Sequence, residues 1–382
     1  MAIKTVSEIN SYQSMTVNPI ENPEQIYELY SVPSFDMQYP EIIKGSEIGS
    51  SKVIVEEGDV LVCKINPRIN RVWVVKHYTK YPLLASSEWI VVRNKDIESN
   101  YLKWYFSSPT FRTMLTSQVA GIGGSLTRAQ PKQVAKYPVP IPDRSEQIEI
   151  VRTLDKIDAL ISLRKQQLTK LDELVKSRFV ELFGDPSCNP MGWKETTVGA
   201  ECYYIKDGPH KSLPDVGEGN GYPFISVRNI VNGYIDFSTA KYISEQDYLD
   251  SIKKCHPQKG DMLYSKGGTT GIAKLIDVDV EFANWVHVAV LKFDDTLNGI
   301  FFENMLNCDY CYDQSQRLTK GIANRDLVLS AMAQIKMYKP PLELQEKFAA
   351  FVEQTDKSKF EIQKSLDKLE ILKKSLMQQY FG

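Results

Sequence analysis

The chain has 382 residues, of which 46 are Lys or Arg and 48 are Asp or Glu, so its formal charge is −2, and 42% of its residues are apolar. This length and composition predict roughly two to four domains with large cores, which excludes the disordered and low-complexity classes. No apolar run approaches the roughly 18 residues of a membrane span, and the first residues do not resemble a secretory signal, so we expect a cytoplasmic protein.

Charge is distributed unevenly along the chain. Residues 1–63 carry 3 basic and 10 acidic side chains, whereas residues 64–136 carry 12 basic and 3 acidic ones, a net charge of +9. Residues 143–182 and 343–382 are balanced, with 8 against 8 and 7 against 7. Dense but balanced charge is typical of helices with solvated faces. The near-neutral total therefore conceals a basic segment that suits a nucleic-acid partner.

The first half of the chain begins with a β-rich segment. Short runs rich in β-branched and aromatic residues predict strands in KVIV, DVLVCKI, RVWVVKHY and EWIVVR, between residues 52 and 93. The next stretch, YLKWYFSSPTFRTMLTSQ, predicts helix, and the glycine-rich GIGGSLTRAQ follows it. The second half repeats this order, with strands predicted in YPFISVRNI, DMLYSK and WVHVAVLKF and helix in FFENMLNCDYCYDQSQRL.

A long helix is predicted at the end of each half. Apolar residues recur in alternating steps of four and three from Ile150 to Leu182, which is a heptad seam, and the segment that ends at Gly382 repeats this pattern at a constant offset of 198 residues. About 38 helical residues at about 1.5 Å rise give a rod of roughly 57 Å. Since each rod needs a partner for its apolar stripe, we predict that the two helices pair in antiparallel orientation.

The repeat predicts the fold class. We expect an α+β protein in which two β-rich domains are separated by two long antiparallel coiled-coil helices, with a pseudo-two-fold repeat. The predicted bounds are residues 1–142 and 185–341 for the two globular domains, and residues 143–184 and 342–382 for the two spacer helices.

Motifs for catalysis or metal binding are not complete in this sequence. Neither KGGTTGIAK nor GIGGSLT completes a phosphate-binding loop, and the Asn/Asp-Pro-Pro-aromatic tetrad of amino-group methylation does not occur. Cys308 and Cys311 form a single C-x-x-C, which without a second ligand pair is more often two buried thiols than a zinc site. The six cysteines are too scattered for a disulfide framework, so we expect reduced thiols. The four histidines are scattered too, and we predict no catalytic residue and no metal site.

Three features carry a family resemblance. They are the duplicated proline-and-glutamine lead with a long helix ending in Phe-Gly, the segment GWKETTVG (residues 192–199), and GYPFISVRNIVNGYI (residues 221–235). Together they resemble the specificity subunits of type I restriction-modification systems, over essentially the whole chain. The first half departs from the pattern because it has no Gly-Trp pair, and residues 11–36 stand in place of that opening segment.

The resemblance implies a non-catalytic subunit that recognises DNA. Each globular half would be a target recognition domain that reads one part of a bipartite double-stranded sequence, and the helices would set the spacing. The implied partners are double-stranded DNA, two methyltransferase (modification) subunits and a restriction/translocase subunit, but no membrane. We expect no cofactor in this chain, because S-adenosylmethionine, ATP and Mg would be bound by the partner subunits.

Two other functions remain open at the level of sequence. The chain could be a coiled-coil protein–protein adaptor with two β-rich binding modules, although the basic segment at residues 64–136 favours DNA. It could also be an enzyme with an unrecognised site, but two diverged copies suit a two-part reader better than one active site.

Basic and polar side chains near the glycine-containing loops are the predicted DNA contacts. Arg and Lys bind guanine edges or phosphates, and phosphate contacts should outnumber base contacts. We predict that Arg68 and Arg228 read bases. The full predicted set is Lys64, Arg68, Arg71, Lys76, Arg128 and Lys132 in the first domain, and Lys211, Arg228, Lys266, Thr269, Lys274, Arg317, Lys320 and Arg325 in the second.

Overall fold

The structure, a computed structural model, describes residues 2–117, 119–120, 127–322 and 324–382. Residues 121–126 of the glycine-rich stretch therefore lie outside the described part. The chain divides into two compact units, of which unit 1 contains Met1–Gln166 and Gln363–Gly382, and unit 2 contains Gln167–Ile362. The division falls within the two long helices, whereas the predicted domain boundaries fall close to the helix starts.

Unit 1 contains most of the strands. They are β1 (Ala2–Thr5), β2 (Thr16–Val17), β3 (Ile26–Tyr30), β4 (Glu41–Lys44), β5 (Lys52–Ile54), β6 (Val60–Cys63), β7 (Val72–Val74), β8 (Leu83–Ala85), β9 (Trp89–Val92), β10 (Val119–Ala120), β11 (Arg128–Ala129) and β12 (Pro138–Ile141). Its helices are α1 (Val6–Ile9), α2 (Ser99–Phe106), α3 (Pro109–Ser117), α4 (Pro131–Val134) and the first part of α5 (Arg144–Phe183). The helical stretch predicted after β9 is divided into α2 and α3 by Ser107 and Ser108, and Pro109 is the first residue of α3.

Unit 2 repeats most of these elements. Its strands are β13 (Lys194–Thr197), β14 (Cys202–Asp207), β15 (Tyr222–Ile225), β16 (Lys241–Ile243), β17 (Met262–Ser265), β18 (Ala273–Leu275), β19 (Ala283–Asn284), β20 (Val288–Phe293) and β21 (Lys336–Lys339). Its helices are α6 (Val198–Glu201), α7 (Glu245–Lys254), α8 (Gly299–Asn307), α9 (Asp309–Leu318), α10 (Leu329–Met332) and the first part of α11 (Leu342–Phe381).

The sheets of the two units share one topology. In unit 1, β3 pairs antiparallel with β4 and parallel with β8, and in unit 2, β15 pairs antiparallel with β16 and parallel with β19. A second, antiparallel sheet has the order β7-β6-β9 in unit 1, and β18-β17-β20 within a four-stranded sheet in unit 2. Strands β6 and β17 are buried along their whole length, so each unit has its own core beneath this sheet.

The opening strand of unit 1 is present although its Gly-Trp pair is not. Strand β1 pairs antiparallel with β12, as β13 pairs with β21. Thr5 and Thr197, which end these strands, each accept a backbone hydrogen bond at the start of the next helix. Residues 11–36 therefore do not replace this strand. Instead they supply β2 and β3 to a five-stranded sheet in the order β2-β5-β8-β3-β4.

The two long helices pack in antiparallel orientation within each unit, as predicted. In unit 1, Lys373 lies 2.5 Å from Asp158, and Lys165 lies 3.0 Å from Glu370. In unit 2, Lys359 lies 2.7 Å from Asp172. Lys359 and Lys373 interrupt the apolar seam, and the facing helix accommodates each of them because it offers a carboxylate.

The end of each long helix completes the core of the other copy. In unit 1, Phe381 of α11 lies against Tyr101 and Tyr105, with ring centroids 5.7 and 5.8 Å apart. In unit 2, Phe183 of α5 lies against Phe301 and Phe348, at 4.9 and 5.5 Å. The repeated Phe-Gly ending is therefore a packing motif, since burying a phenylalanine stabilises the fold by about 1.5–3 kcal/mol.

A buried glutamine fixes the start of each long helix. The Gln147 amide accepts a hydrogen bond from the Glu98 backbone N–H at 3.0 Å and donates one to the Pro142 carbonyl at 2.9 Å. Gln345 makes the same two bonds, with Asn298 and Pro340, both at 2.8 Å. An amide side chain can donate and accept hydrogen bonds at the same time. The glutamine therefore holds the helix at a defined position on its globular domain.

Candidate nucleic-acid interface

A loop at the end of strand β6 is held by three backbone hydrogen bonds. Lys64 N–H donates to the Glu88 carbonyl at 3.0 Å, Ala129 N–H donates to the Lys64 carbonyl at 2.8 Å, and Asn66 N–H donates to the Thr127 carbonyl at 2.9 Å. We call residues 64–71, Glu88 and residues 127–129 platform 1.

Unit 2 contains the same arrangement at the end of strand β17. Lys266 N–H donates to the His287 carbonyl at 2.8 Å, Leu327 N–H donates to the Lys266 carbonyl at 2.7 Å, and Gly268 N–H donates to the Arg325 carbonyl at 3.0 Å. We call residues 266–272, His287 and residues 325–327 platform 2. The two platforms share a backbone but differ in their side chains.

Platform 1 brings together four of the six predicted contacts of the first domain. Arg68 is exposed on a turn in which Asn66 and Asn70 have left-handed backbone angles, with φ of 46° and 51°. The Asn70 side-chain amide anchors this turn by donating to the Phe106 carbonyl at 2.9 Å. Arg128 is 60% exposed and lies 3.3 Å from Glu88. Lys64 and Arg71 are half-buried on the same platform.

The other two predicted contacts of unit 1 lie elsewhere. Lys132 is exposed on α4, directly after platform 1. Lys76 follows β7, whose last residue, Val74, pairs with Val60 at the start of β6. Lys76 therefore lies at the open end of the β6–β7 hairpin, whereas platform 1 lies at the loop that joins the two strands. There it lines a cavity of about 200 Å³ with Lys103 and Tyr78. The basic segment of the sequence therefore covers two separate surfaces.

Platform 2 presents a different set of exposed groups. Thr269 is exposed on its loop, and the exposed Arg325 donates hydrogen bonds to the Gln316 side chain and, at 3.5 Å, to the Thr270 hydroxyl. Lys320 is joined to Asp326 by two backbone hydrogen bonds of 2.9 Å. Arg317 is exposed in the last turn of α9. These residues present two guanidinium groups and one ammonium group near the loop.

The structure corrects the prediction for Lys266. Its side chain is only 7% exposed, and its ammonium group lies 2.9 Å from Asp326 and 3.5 Å from Asp207. It could contact DNA only by giving up both carboxylates, of which Asp207 is only 12% exposed, and breaking a buried ion pair is costly. Lys266 therefore holds platform 2 together rather than facing a ligand.

The structure also corrects the prediction for Lys274. Its side chain is 12% exposed and its ammonium group lies 3.2 Å from Glu303. Burial raises the pKa of the Glu303 carboxyl above its usual value, while Lys274 opposes that rise. The sequence alone does not distinguish Lys266 and Lys274 from exposed lysines. Lys266 follows a short strand and Lys274 lies in one, and each is close to turn residues.

Arg228 and Lys211 lie outside platform 2 but in the same unit. Arg228 is exposed on a 3-10 turn, Val227–Asn229, and donates to the Thr239 carbonyl at 2.7 Å. It lines a cavity of about 230 Å³ with Lys241 and Trp285. The Trp285 ring lies 4.6 Å from the His287 ring, which connects this cavity to platform 2. Lys211 is exposed between β14 and β15.

Sequence reasoning missed Glu88 and His287, which occupy the same position on the two platforms. One signal was available for Glu88, because it is one of 3 acidic residues in the basic segment at residues 64–136. His287 gave no such signal, since its role as a platform residue follows from the pairing of β20 with β17.

Neither a metal centre nor a membrane span emerges from the described residues. Within residues 2–117, 127–322 and 324–382, no three His, Cys, Asp or Glu side chains form a group that could hold a metal ion. Cys311 is buried and its thiol lies 3.5 Å from the Lys336 carbonyl oxygen. In the same part of the chain, no helix combines the length and apolar character needed to cross a bilayer.

Comparison with known proteins decides the family. The model of the type I restriction modification DNA specificity domain matches residues 1–173 and 193–372, which is one match for each half of the repeat. The chain belongs to this family. It is a specificity subunit with two DNA-recognition domains, and this family is non-catalytic. The resemblance, fold class and main functional prediction are thus confirmed, and the adaptor alternative is not supported.

Relatives of this specificity subunit are distant in sequence. The MjaVIII specificity subunit of Methanocaldococcus jannaschii is 22% identical over 348 residues, which cover 87% of this chain and 80% of that one. The EcoEI specificity subunit of Escherichia coli is 26% identical over 181 residues, 44% of this chain and 30% of that one.

Solved structures share the fold of the specificity subunit. The S subunit of a type I restriction-modification system from M. genitalium superposes with a TM-score of 0.59 at 13% identity, covering 100% of this chain and 96% of the other. A chain from a type I R-M system, studied for its assembly and conformational transition, gives 0.59 at 19% identity, covering 100% and 97%. At this identity the similarity concerns the fold alone.

Proposed function

We propose that platform 1 and platform 2 each bind one part of a bipartite double-stranded DNA target. The observation that carries this proposal is the identical set of three backbone hydrogen bonds that presents different side chains in the two units. A shared scaffold with different polar groups suits two half-sites of different sequence, because base edges are distinguished by their pattern of donors and acceptors.

The proposed contacts follow from exposure and position. In unit 1 they are Arg68, Arg71, Lys64, Arg128 and Lys132, with Lys76 as a phosphate contact on the second surface, and in unit 2 they are Thr269, Arg325, Lys320, Arg317, Arg228 and Lys211. Lys266 and Lys274 are reassigned to positioning roles. Most of these contacts would be to phosphates, which position the protein, while a few side chains read bases.

We also propose that the long helices dock two modification subunits. Leu174 and Leu372 are equivalent at the offset of 198 residues, and they are 47% and 46% exposed. Equal exposure of a large apolar side chain at equivalent positions supports docking of two copies of one partner at these positions. The restriction/translocase subunit would join the same complex, and S-adenosylmethionine, ATP and Mg would be bound by these partners.

The proposed functional domains keep the bounds expected from the sequence. Recognition domains at residues 1–142 and 185–341 would bind DNA, and spacer helices at residues 143–184 and 342–382 would set the distance between the half-sites. We place the complex in the cytoplasm, where bacterial or archaeal DNA is accessible.

Footprinting of DNA by the complex of this chain with its modification subunits tests the proposed function. We expect two protected patches separated by an unprotected spacer, and affinity that falls steeply with salt. A single continuous patch, or binding that does not depend on salt, would contradict it.

A further inference from the structure

We infer that a groove in unit 2 receives an aromatic side chain, with a lysine or arginine beside it, from one modification subunit, so that the two modification subunits are bound with unequal affinity. This inference rests on the proposed docking of two modification subunits on the long helices and makes that proposal more specific. It names the chemistry of the docking segment and the unit that binds it.

The groove lies between helix α8, strand β18 and helix α11, and all of its lining belongs to unit 2. Its volume is about 580 Å³, and five acidic against two basic side chains give the lining a net charge of −3. Phe360 of α11 is 66% exposed and gives the groove an aromatic wall. We call it the unit 2 groove, and the lining residues that define it are Leu275, Ile300, Asn304, Val352, Glu353 and Phe360.

In unit 1 a tryptophan fills the corresponding place. The buried glutamines accept hydrogen bonds from Glu98 in unit 1 and Asn298 in unit 2, which aligns α2 with α8 at an offset of 200 residues. At this offset Trp104 corresponds to Asn304. Trp104 is 4% exposed, and its indole N–H donates to the Asp155 carboxylate of α5 at 2.8 Å. The indole therefore closes the space between α2 and α5.

In unit 2, Asn304 leaves this space open. Its amide donates to the Ile300 carbonyl at 2.9 Å, so the side chain turns back along its own helix. The carboxylate on the long helix is kept, because Glu353 stands where α5 has Asp155, at the offset of 198 residues. The unit 2 groove therefore retains the hydrogen-bond acceptor of unit 1 but not the aromatic donor.

Two cations of unit 1 are also replaced in unit 2. The ammonium groups of Lys103 and Lys373 each lie 5.0 Å from the Trp104 ring centroid. Such contacts stabilise an aromatic ring and a cation together. At the same offsets unit 2 has Glu303 and Val175 in place of these lysines. The unit 2 groove thus lacks one aromatic ring and two cations that unit 1 supplies from its own chain.

These missing groups describe the segment that fits the unit 2 groove. An aromatic side chain matches the apolar surface of Leu275, Val352 and Phe360, and a ring N–H or O–H can donate to Glu353. A lysine or arginine beside it matches the net charge of −3. Aromatic and arginine side chains anchored in pockets carry much of the energy of protein contacts. Since Trp104 fills the same space in unit 1, two identical modification subunits gain this contact only at unit 2.

Filling the unit 2 groove or reversing its charge tests the inference. Asn304→Trp copies the side chain of unit 1, and Glu353→Lys changes an exposed residue without touching the core. The matched control is Glu149→Lys, which makes the same change of charge at an exposed position of α5 in unit 1. The probe is the purified modification subunit, and native mass spectrometry of the diluted complex measures the dissociation constant of each bound copy.

For the wild-type complex we expect one modification subunit to bind at least about 10-fold more tightly than the other. Leu174→Asp should remove the tighter copy, because Leu174 lies in the part of α5 that belongs to unit 2. Asn304→Trp and Glu353→Lys should each reduce the difference to about 2-fold or less, whereas Glu149→Lys should leave it unchanged. Glu353→Lys provides the test if Asn304→Trp does not fold.

Two results would overturn the inference. Equal affinity of the two modification subunits for the wild-type chain would show that the unit 2 groove receives nothing from them. An unequal affinity that neither Asn304→Trp nor Glu353→Lys changes would place its cause outside the groove. Failure of the docking proposal is distinguishable from both, because the double variant Leu174→Asp, Leu372→Asp would then keep both modification subunits.

Discussion

Replacement of Lys266 by methionine tests the reassignment of this residue from DNA contact to structural support. The side chain is 7% exposed, and the two carboxylates it joins, Asp207 and Asp326, are 12% and 45% exposed. Removing one partner of a buried ion pair costs about 3–5 kcal/mol. Because Asp326 is partly solvated and Asp207 keeps Lys254 at 2.8 Å, we expect a loss of about 2–3 kcal/mol.

Thermal unfolding is the direct assay. For a unit of this size the loss corresponds to a fall in melting temperature of about 5–10 °C. The matched control is Lys253→Met, because Lys253 lies 2.7 Å from Asp250 in an exposed pair, at 73% and 57% exposure, and its loss should leave the melting temperature unchanged. DNA binding at the second half-site should weaken in Lys266→Met together with stability.

The combination of outcomes decides between the two roles of Lys266. If Lys266→Met melted at the wild-type temperature but bound DNA more weakly, the lysine would be a direct contact, and the structural reasoning would be refuted. An unchanged melting temperature, as expected for Lys253→Met, would also contradict the predicted loss of about 2–3 kcal/mol.

Three further predictions concern the helices and the buried carboxyl group. Gln345→Leu removes a buried amide with two hydrogen bonds, so it should lower the free energy of unfolding by about 1–3 kcal/mol. Denaturant titration measures this loss. The same substitution at the exposed Gln354 should have no effect. Because burial raises the pKa of Glu303 above its ordinary value of 4.5, its contribution to stability is present at acidic pH and is lost as the pH rises through the folded-state pKa. Glu303→Gln should remove that part of the pH dependence, and an unchanged stability profile would contradict it. Leu174→Asp and Leu372→Asp should each release one modification subunit from the complex, measured by native mass spectrometry, and retention of both subunits by the double variant would refute the docking proposal.

The helices and the repeat could be predicted from the sequence because they depend on local periodicity. The apolar residues from Ile150 to Leu182 show which face of α5 is apolar. Because the sequence repeats at an offset of 198 residues, the same pattern predicts the apolar face of α11. The strands were predictable for the same reason, since β6 and β17 are buried runs between turn residues.

What depends on tertiary contacts could not be predicted. The opening strand β1 was not recognised, because its role depends on pairing with β12, more than a hundred residues later in the chain. Lys64 and Lys266 follow equivalent strands, but only Lys266 has Asp207 and Asp326 beside it, so only Lys266 is buried. The position of Glu88 on platform 1 is hidden for the same reason. The three segments of platform 1 come together only through backbone hydrogen bonds between distant parts of the chain.

The central claim is that each platform reads its own half of the target, and mapping of methylated adenines tests it most directly. The chain would be expressed with its modification subunits in cells that lack other methylation, as wild type and with one exposed arginine of each platform replaced, Arg68→Ala in platform 1 and Arg325→Ala in platform 2. We expect the first variant to relax one base pair in one half of the methylated motif and the second variant to relax one base pair in the other half. Relaxation of the same half by both variants, or weaker methylation with an unchanged motif in both, would contradict the account.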